Sequence, residues 1–436
     1  MLGVIFNELD QKSYGVVAGF FLIIAALYGL PHIMPSYIGT GYIGLYLLMA
    51  GLSLYVWRKQ VLSPQHCLYL GIALCLALFP LSPLTSNDAE RYLWDGAVFL
   101  NGLDPYITAP NDAAVSALRD IWPTPPEHAA YPTLYPPGAL SLFALSAMTG
   151  PVFGFWLWKL MISIAAITSL ILTYDLLKRQ DKLINFCLMG LSPLLLFEMG
   201  AGAHLDTFCV LGIVGALWCV QRDKMIAAGI IIGLAATIKF LPAVIAGPLL
   251  FYVKPKQALK IFLGASLTWV GIYALMFGLG YKPLGLLPTF FEKWRGGAPF
   301  YPLLEVIEQR AGLSKSQFLI LLGGIAIAGF GISAWHARKG SIYLAIIIAM
   351  AVPLCLSPIL FPWYLMALVP LLALRPNITL ILALTLVPLS YSVLNKWLSQ
   401  GIWEPSAWPS LILAIGIGAG LYLDLRHAKA NNFSAE

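Results

Sequence analysis

The stretch GVVAGFFLIIAALYGLPHI, residues 15–33, holds no Asp, Glu, Lys or Arg. A helix needs about 20 mostly apolar residues, rising about 1.5 Å each, to cross a hydrocarbon core about 30 Å thick. This stretch is long enough. It follows Glu8, Asp10 and Lys12 and lacks a small-residue cleavage site, so it reads as a first span rather than a cleaved signal. Similar runs recur at 40–57, 64–81, 155–176, 183–198, 203–220, 225–239, 241–253, 261–279, 317–335, 341–357, 361–373, 378–395 and 408–424. Several fall short of a perpendicular span. Proline-broken half-length segments are tolerated where protein buries them or where they line a cavity. The pattern predicts an all-α polytopic membrane protein of about 13–14 transmembrane helices, one transmembrane domain over 1–436, with a cleft in the bundle.

Composition agrees. Of 436 residues, 59% are hydrophobic and 11% charged, against about 25% charged in a soluble domain. The net charge of +6 does not imply nucleic acid, because the basic residues sit in short turns and form no stripe. The six cysteines lie mostly inside apolar runs and show neither metal spacing nor a disulfide framework. Rossmann and P-loop glycine signatures are absent, which argues against a nucleotide site.

The run 136–150 decides the threading. Counted as a span, it would send Lys178, Arg179 and Lys182 outside and invert every later turn. Read as a re-entrant or interfacial helix, it leaves Lys and Arg in excess on the side of both termini and acids in excess opposite. That is the positive-inside bias of cytoplasmic turns. The expectation is a bacterial inner membrane protein with cytoplasmic termini and two long external loops, 82–135 and 280–316. Loops of that length tend to be functional or to hold helices of their own.

The first loop is densest in chemistry: Asn87, Asp88, Ala89, Glu90, Arg91, Tyr92, Leu93, Trp94, Asp95, Gly96. In an interfacial helix near 87–100, Asp88, Arg91 and Asp95 share a face. Tyr92, Trp94 and Phe99 suit the headgroup level. Gly102 and Asp104-Pro105-Tyr106 end the helix with a turn signal. A plain reading stands beside the functional one: Thr85 with Asp88, or Asn87 with Glu90, fits a capping pattern, and Arg91 with Asp95 fits an i,i+4 pair. The functional reading is that a carboxylate beside an apolar wall is tuned to abstract a proton. Tyr131, Tyr135, Pro136, Pro137 and Gly138 then introduce the 136–150 run, as a helix start aimed by prolines or as a stiff turn.

Ionisable residues also enter the apolar runs, where they are expensive and usually face a cavity or each other. Glu198, His204 and Asp206 cross one outer turn. Glu198 can pair with His204, and His204 with Asp206 can orient a phosphate or sugar. Such a trio also suits a divalent metal, although no ligand spacing such as HExxH supports one. Lys239 either snorkels to headgroups or offers a point charge to a lipid phosphate. Arg295 in the second loop is a candidate for bidentate phosphate contact. In Ser357-Pro358-Ile359-Leu360-Phe361-Pro362-Trp363-Tyr364 the prolines fit a bend. Trp363 and Tyr364 stack on a sugar or anchor the interface.

These groups converge on one membrane face and suit one reaction. A polyprenyl-phosphate sugar binds with its tail in the cleft and its phosphate over Lys239 or Arg295. Asp88 takes the proton of an acceptor hydroxyl, which attacks the anomeric carbon with inversion, and cations stabilise the leaving phosphate.

The sequence resembles the membrane-embedded GT-C glycosyltransferases that use polyprenyl-phosphate sugars, especially the bacterial mannosyltransferase-like family 87. The matching pieces are NDAERYLWDG and NGLDPY within 87–106, YPPG at 135–138, FEMGAGAHLD at 197–206, IKFLP at 238–242 and SPILFPWY at 357–364. The resemblance implies a catalytic acid in the first external loop, which maps onto Asp88. Related members often carry two acids there; Glu90 stands two positions on rather than adjacent, and positions Arg91 if it has a role. A mannosyl donor and a lipid, glycan or protein hydroxyl acceptor are also implied. The competing reading is a transporter or flippase of lipid-linked sugar, which also breaks helices and buries charge. It would show matching Gly/Pro breaks in two halves, and no such symmetry is visible.

Overall fold

Asp10 opens the first helix by accepting the Ser13 amide at 2.8 Å, and α1 runs Gln11–Ile33. The computed structural model describes residues 10–122, 124, 129–286, 290 and 292–433, with side chains described through 428. Along the chain follow α2 (Ile38–Lys59), α3 (Pro64–Leu78), α4 (Asp88–Leu100), α5 (Pro137–Ala147) and α6 (Gly150–Lys178). Next come α7 (Pro193–Gly200), α8 (Asp206–Gln221), α9 (Met225–Ile238) and α10 (Pro255–Gly278). The chain ends with α11 (Tyr301–Arg310), α12 (Lys315–Arg338), α13 (Ile342–Leu356), α14 (Ile378–Leu386) and α15 (Ala407–Phe433). The described residues form no strand beyond one parallel bridge, Gly296 to Ile359. The protein is an all-α polytopic membrane protein.

Among the described residues, eight helices are long and apolar enough to cross a bilayer. The other expected spans are shorter apolar helices, including Pro64–Leu78, Asp206–Gln221, Met225–Ile238, Leu241–Tyr252, Ile342–Leu356 and Pro362–Leu374. The helices divide by burial. Only 11% of the apolar window of Lys315–Arg338 is buried, against 78% for Leu183–Gly200. Exposed Leu319, Ile320, Ile327 and Ile332 on α12 would be costly in water and are at home against lipid.

The 136–150 run becomes α5, 11 residues with Pro137 in its first turn. At about 1.5 Å per residue it reaches roughly half the hydrocarbon thickness. Gly150, at φ 84°, then turns the chain into the 29-residue α6. One side of α5 is packed against the protein, while Ser141 and Leu145 are exposed. A Cβ on Gly96 of α4 would strike the backbone of Phe143 in α5, and one on Gly138 would strike Thr237 at the end of α9. Both glycines permit backbone-to-backbone approach.

Aromatic rings fill the seam. Tyr92 stacks on Phe143 with centroids 4.5 Å apart and planes 4° apart. Its ring also meets Trp158 at 5.1 Å and Tyr135 at 5.2 Å, both edge-on. Such pairs contribute about 0.5–1.5 kcal/mol each beyond their area. Gly96→Val is expected to cost about 2–3 kcal/mol, since the overpacked helices must part. Thermal unfolding in detergent checks this, with Gly51→Val, which meets nothing within 4 Å, as the control.

Here the structure departs from one expectation. Tyr92 and Trp94 are not at a surface; both are 1% exposed. Almost every residue from Ala89 to Val98 is buried, because α5 and α6 give this helix a protein partner on several sides.

Candidate functional site

Asp88 is the first residue of α4, its amide donating to Ser86 Oγ at 2.9 Å. Acids are favoured at that end of a helix. Thr85, expected as an alternative cap, instead turns its hydroxyl to the Ala201 carbonyl at 3.5 Å, and the Leu84 amide donates to the same carbonyl at 2.7 Å. The start of α4 is therefore tied to the 200–204 turn, which carries His204.

That turn is held from behind by α6. Trp158 Nε1 donates to the Ala203 carbonyl at 2.9 Å. The Lys159 ammonium, wholly buried, donates to the Gly200 carbonyl and reaches that of Leu78 at 3.5 Å. Lys159 thus serves the carbonyl ends of α7 and α3, where helix dipoles favour a cation. Gly202 has no alternative, since a Cβ there would strike His204 Nδ1.

His204 is consequently fixed. Its Nδ1 lies 2.9 Å from Glu198 Oε2, both side chains fully buried. Tyr391 OH donates to both oxygens of Glu198, at 2.9 and 2.8 Å, and Tyr42 OH reaches Oε1 at 3.3 Å. Trp363 stacks on the imidazole at 3.9 Å and 21°. The other ring nitrogen, Nε2, is buried, finds no hydrogen-bond partner among the described residues and lies 4.0 Å from Asp88 Oδ2. An Nδ1–H to Glu198 selects the tautomer whose Nε2 lone pair faces Asp88.

The Tyr92 hydroxyl donates to Asp88 Oδ2 at 3.3 Å. Burial, then Tyr135 and then Asp88 hold the Tyr92 phenol well above its usual range. Burial and then Asp88 do the same to Tyr135. Both phenols therefore stay protonated. The Asp88 side chain is 19% exposed and opens on a cleft of about 470 Å³, lined also by Arg91, Tyr131, Tyr135, Phe290 and Trp294.

The remaining candidates fall into separate groups. Arg91 and Asp95 form a buried i,i+4 ion pair at 2.9 Å, and Arg91 also donates to the Tyr131 carbonyl at 2.8 Å. Glu90 is exposed. Lys239 binds both oxygens of Asp206 at 2.7 and 2.8 Å, with its ammonium 4.2 Å from the centre of the Tyr364 ring. Asp206 thus pairs with Lys239, and His204 with Glu198. Arg295 is bound to Glu305 at 3.0 Å and to the carbonyls of Glu292 and Trp294. It lies outside the described lining of the cleft, although Trp294 beside it lines it. No group of three His, Cys, Asp or Glu able to hold a metal is found among the described residues.

A carboxylate thus stands at the mouth of a cleft, backed by an oriented histidine, inside a helical membrane bundle. Residues 16–254, more than half of the chain, match the MptA_B family, alpha-(1->6)-mannopyranosyltransferase, N-terminal domain. The chain belongs to that family and is a GT-C-like mannosyltransferase. No curated protein and no solved structure matches it. The expected enzyme class stands.

Proposed function

We propose that the chain transfers mannose from a polyprenyl-phosphate carrier to a hydroxyl acceptor, with inversion, on the external face of the bacterial inner membrane. The observation that carries this is the Asp88 carboxylate at the cleft, with His204 Nε2 4.0 Å behind it. Asp88 accepts the proton of the attacking hydroxyl as the bond to the anomeric carbon forms and the bond to the lipid phosphate breaks. Inverting transfer asks for a single base on the side of attack. Catalytic contacts are often loose before substrate binds, and the His204 Nε2 lone pair is placed to accept from the Asp88 carboxyl once Asp88 has taken the proton.

Lys239 is the donor's phosphate contact in this reading. Two of its three N–H groups meet Asp206, which fixes the ammonium where it can face leaving-group charge. Removing Lys239 alone would strand the Asp206 charge, so the informative variant is Lys239→Met with Asp206→Asn. It is expected to raise KM for the lipid donor about tenfold, the scale of one lost charged hydrogen bond, while acceptor KM holds. An unchanged donor KM takes the phosphate away from Lys239.

The test of the whole reading is purified protein in lipid nanodiscs given polyprenyl-phosphate mannose or a nucleoside-diphosphate mannose. Transfer from the lipid donor alone, with an inverted anomeric centre by NMR, is expected; use of the nucleotide donor overturns it. Topology has its own check. A cysteine placed at Asn111 in the first loop should react with an impermeant maleimide from outside intact cells.

A further inference from the structure

A second pocket, partly open to the outside, lies behind the catalytic cluster. Its walls come from the Gly296–Gly297 turn, the 360–363 stretch, Ser390 to Val393 and the start of α15. The turn is locked to the 360 stretch: the Leu360 amide donates to the Gly296 carbonyl at 2.9 Å. Gly297 sits at φ 68°, and a Cβ there would strike the Leu360 carbonyl. The wall is therefore built to one shape.

Three features define its chemistry. The first is an aromatic side: Phe361 stacks on Trp363 at 4.4 Å and meets Trp403 edge-on at 6.2 Å. Next, Ser410, half-buried, and Ser406, exposed at the rim, bring hydroxyls to the lining. Last, no charged side chain is in the described lining. The charges adjacent in sequence are engaged elsewhere, Arg295 with Glu305 at 3.0 Å and Glu404 with Lys396 at 2.8 Å.

The cavity also touches the chemistry. Trp363 is the ring stacked on His204, and Tyr391 is the phenol bound to Glu198. A ligand here lies one aromatic ring from the imidazole that faces Asp88.

We infer that this cavity is a subsite for a neutral sugar residue of the acceptor glycan, one unit back from the hydroxyl that is mannosylated. The inference rests on Asp88 marking the reaction centre. A phosphate-bearing donor headgroup finds no cation here. A hydrocarbon tail would cover the half-buried Ser410 hydroxyl without offering it a hydrogen bond, which is costly. A pyranose satisfies both demands, with an apolar ring face for Phe361 and Trp403 and hydroxyls for the serines. Aromatic walls with a few placed polar groups are the usual make-up of a small-molecule site.

The experiment uses the full chain in nanodiscs with saturating lipid-linked mannose, and octyl α-mannoside or octyl α-(1→6)-dimannoside as acceptor. Trp403→Ala, on an exposed loop residue, and Ser410→Phe, which fills the cavity, are compared with wild type. Both are expected to raise KM for the dimannoside about tenfold and to leave the monosaccharide KM, donor KM and kcat within twofold. Binding is read without turnover by saturation-transfer NMR with α-(1→6)-mannobiose, expected for wild type and lost in both variants. An unchanged dimannoside KM, a rise shared by donor or monosaccharide, or no mannobiose signal on wild type overturns the subsite. The two readings fail separately: a fully active Asp88→Asn enzyme whose dimannoside KM still rises with Trp403→Ala discards the base and keeps the subsite.

Discussion

Asp88→Asn is expected to lower mannosyl turnover about a thousandfold while the protein folds and binds both substrates. A positioned general base contributes about 10²–10⁴. The amide keeps the shape of the side chain and can still accept from Tyr92, which donates at 3.3 Å, but it cannot take up a proton at neutral pH. The loss should fall on kcat, with donor and acceptor KM nearly unchanged, because a group used only in the transition state leaves ground-state binding alone. Asp88→Glu should recover little, because one added methylene moves the carboxylate relative to a cleft wall fixed by Tyr131, Tyr135 and Trp294. Initial rates on protein with a wild-type melting profile decide the matter. Turnover of Asp88→Asn within tenfold of wild type removes Asp88 from the base role.

The helix from Asp88 to Leu100 was legible from its acid-rich start and the turn signal at Gly102 that follows it, and the pairing of Glu198 with His204 because they face each other across one turn. The length of the apolar runs alone located the long helices. The expected spans 225–239 and 241–253 correspond to Met225–Ile238 and Leu241–Tyr252, since Pro242 and the polar Lys239 interrupt the apolar pattern there. The depth of α4 was not legible. Its aromatics fit a headgroup belt as well as a packed seam, and only the positions of Phe143 and Trp158, dozens of residues on, choose between them. Lys159 went unread although the signal was present: a lysine in the middle of an apolar run is expensive and needs a purpose, here the carbonyls of Gly200 and Leu78. Tyr42 and Tyr391 gave no signal at all. Tyrosine is ordinary in an apolar helix, and no spacing rule links a side chain to a carboxylate 193 residues away.

Glu198 is expected to show the second large effect, and the choice of replacement determines its kind. Glu198→Ala leaves His204 Nδ1 and the Tyr391 hydroxyl buried without the carboxylate they both contact. Stranding the partners of a buried charged network costs about 3–5 kcal/mol, so this variant should melt well below wild type or fail to accumulate. Glu198→Gln keeps the volume and offers one carbonyl oxygen and one NH₂ where two acceptor oxygens stood. If the NH₂ faces the imidazole, Nδ1 must become the acceptor, and Nε2, 4.0 Å from Asp88, must carry the proton. A donor then points at the base and ties up the lone pair required for the acceptor hydroxyl. In the serine-protease triad, replacing the orienting carboxylate by its amide leaves the geometry intact and lowers turnover about 10⁴-fold through the wrong tautomer. Here His204 stands behind the base rather than being it, so a loss of about a hundredfold in kcat is expected, with little change in melting. Nitrogen-15 spectra of labelled histidine should show the proton moving from Nδ1 to Nε2 in Glu198→Gln. Unchanged turnover together with that tautomer shift would separate His204 from the reaction and leave Asp88 to work without it.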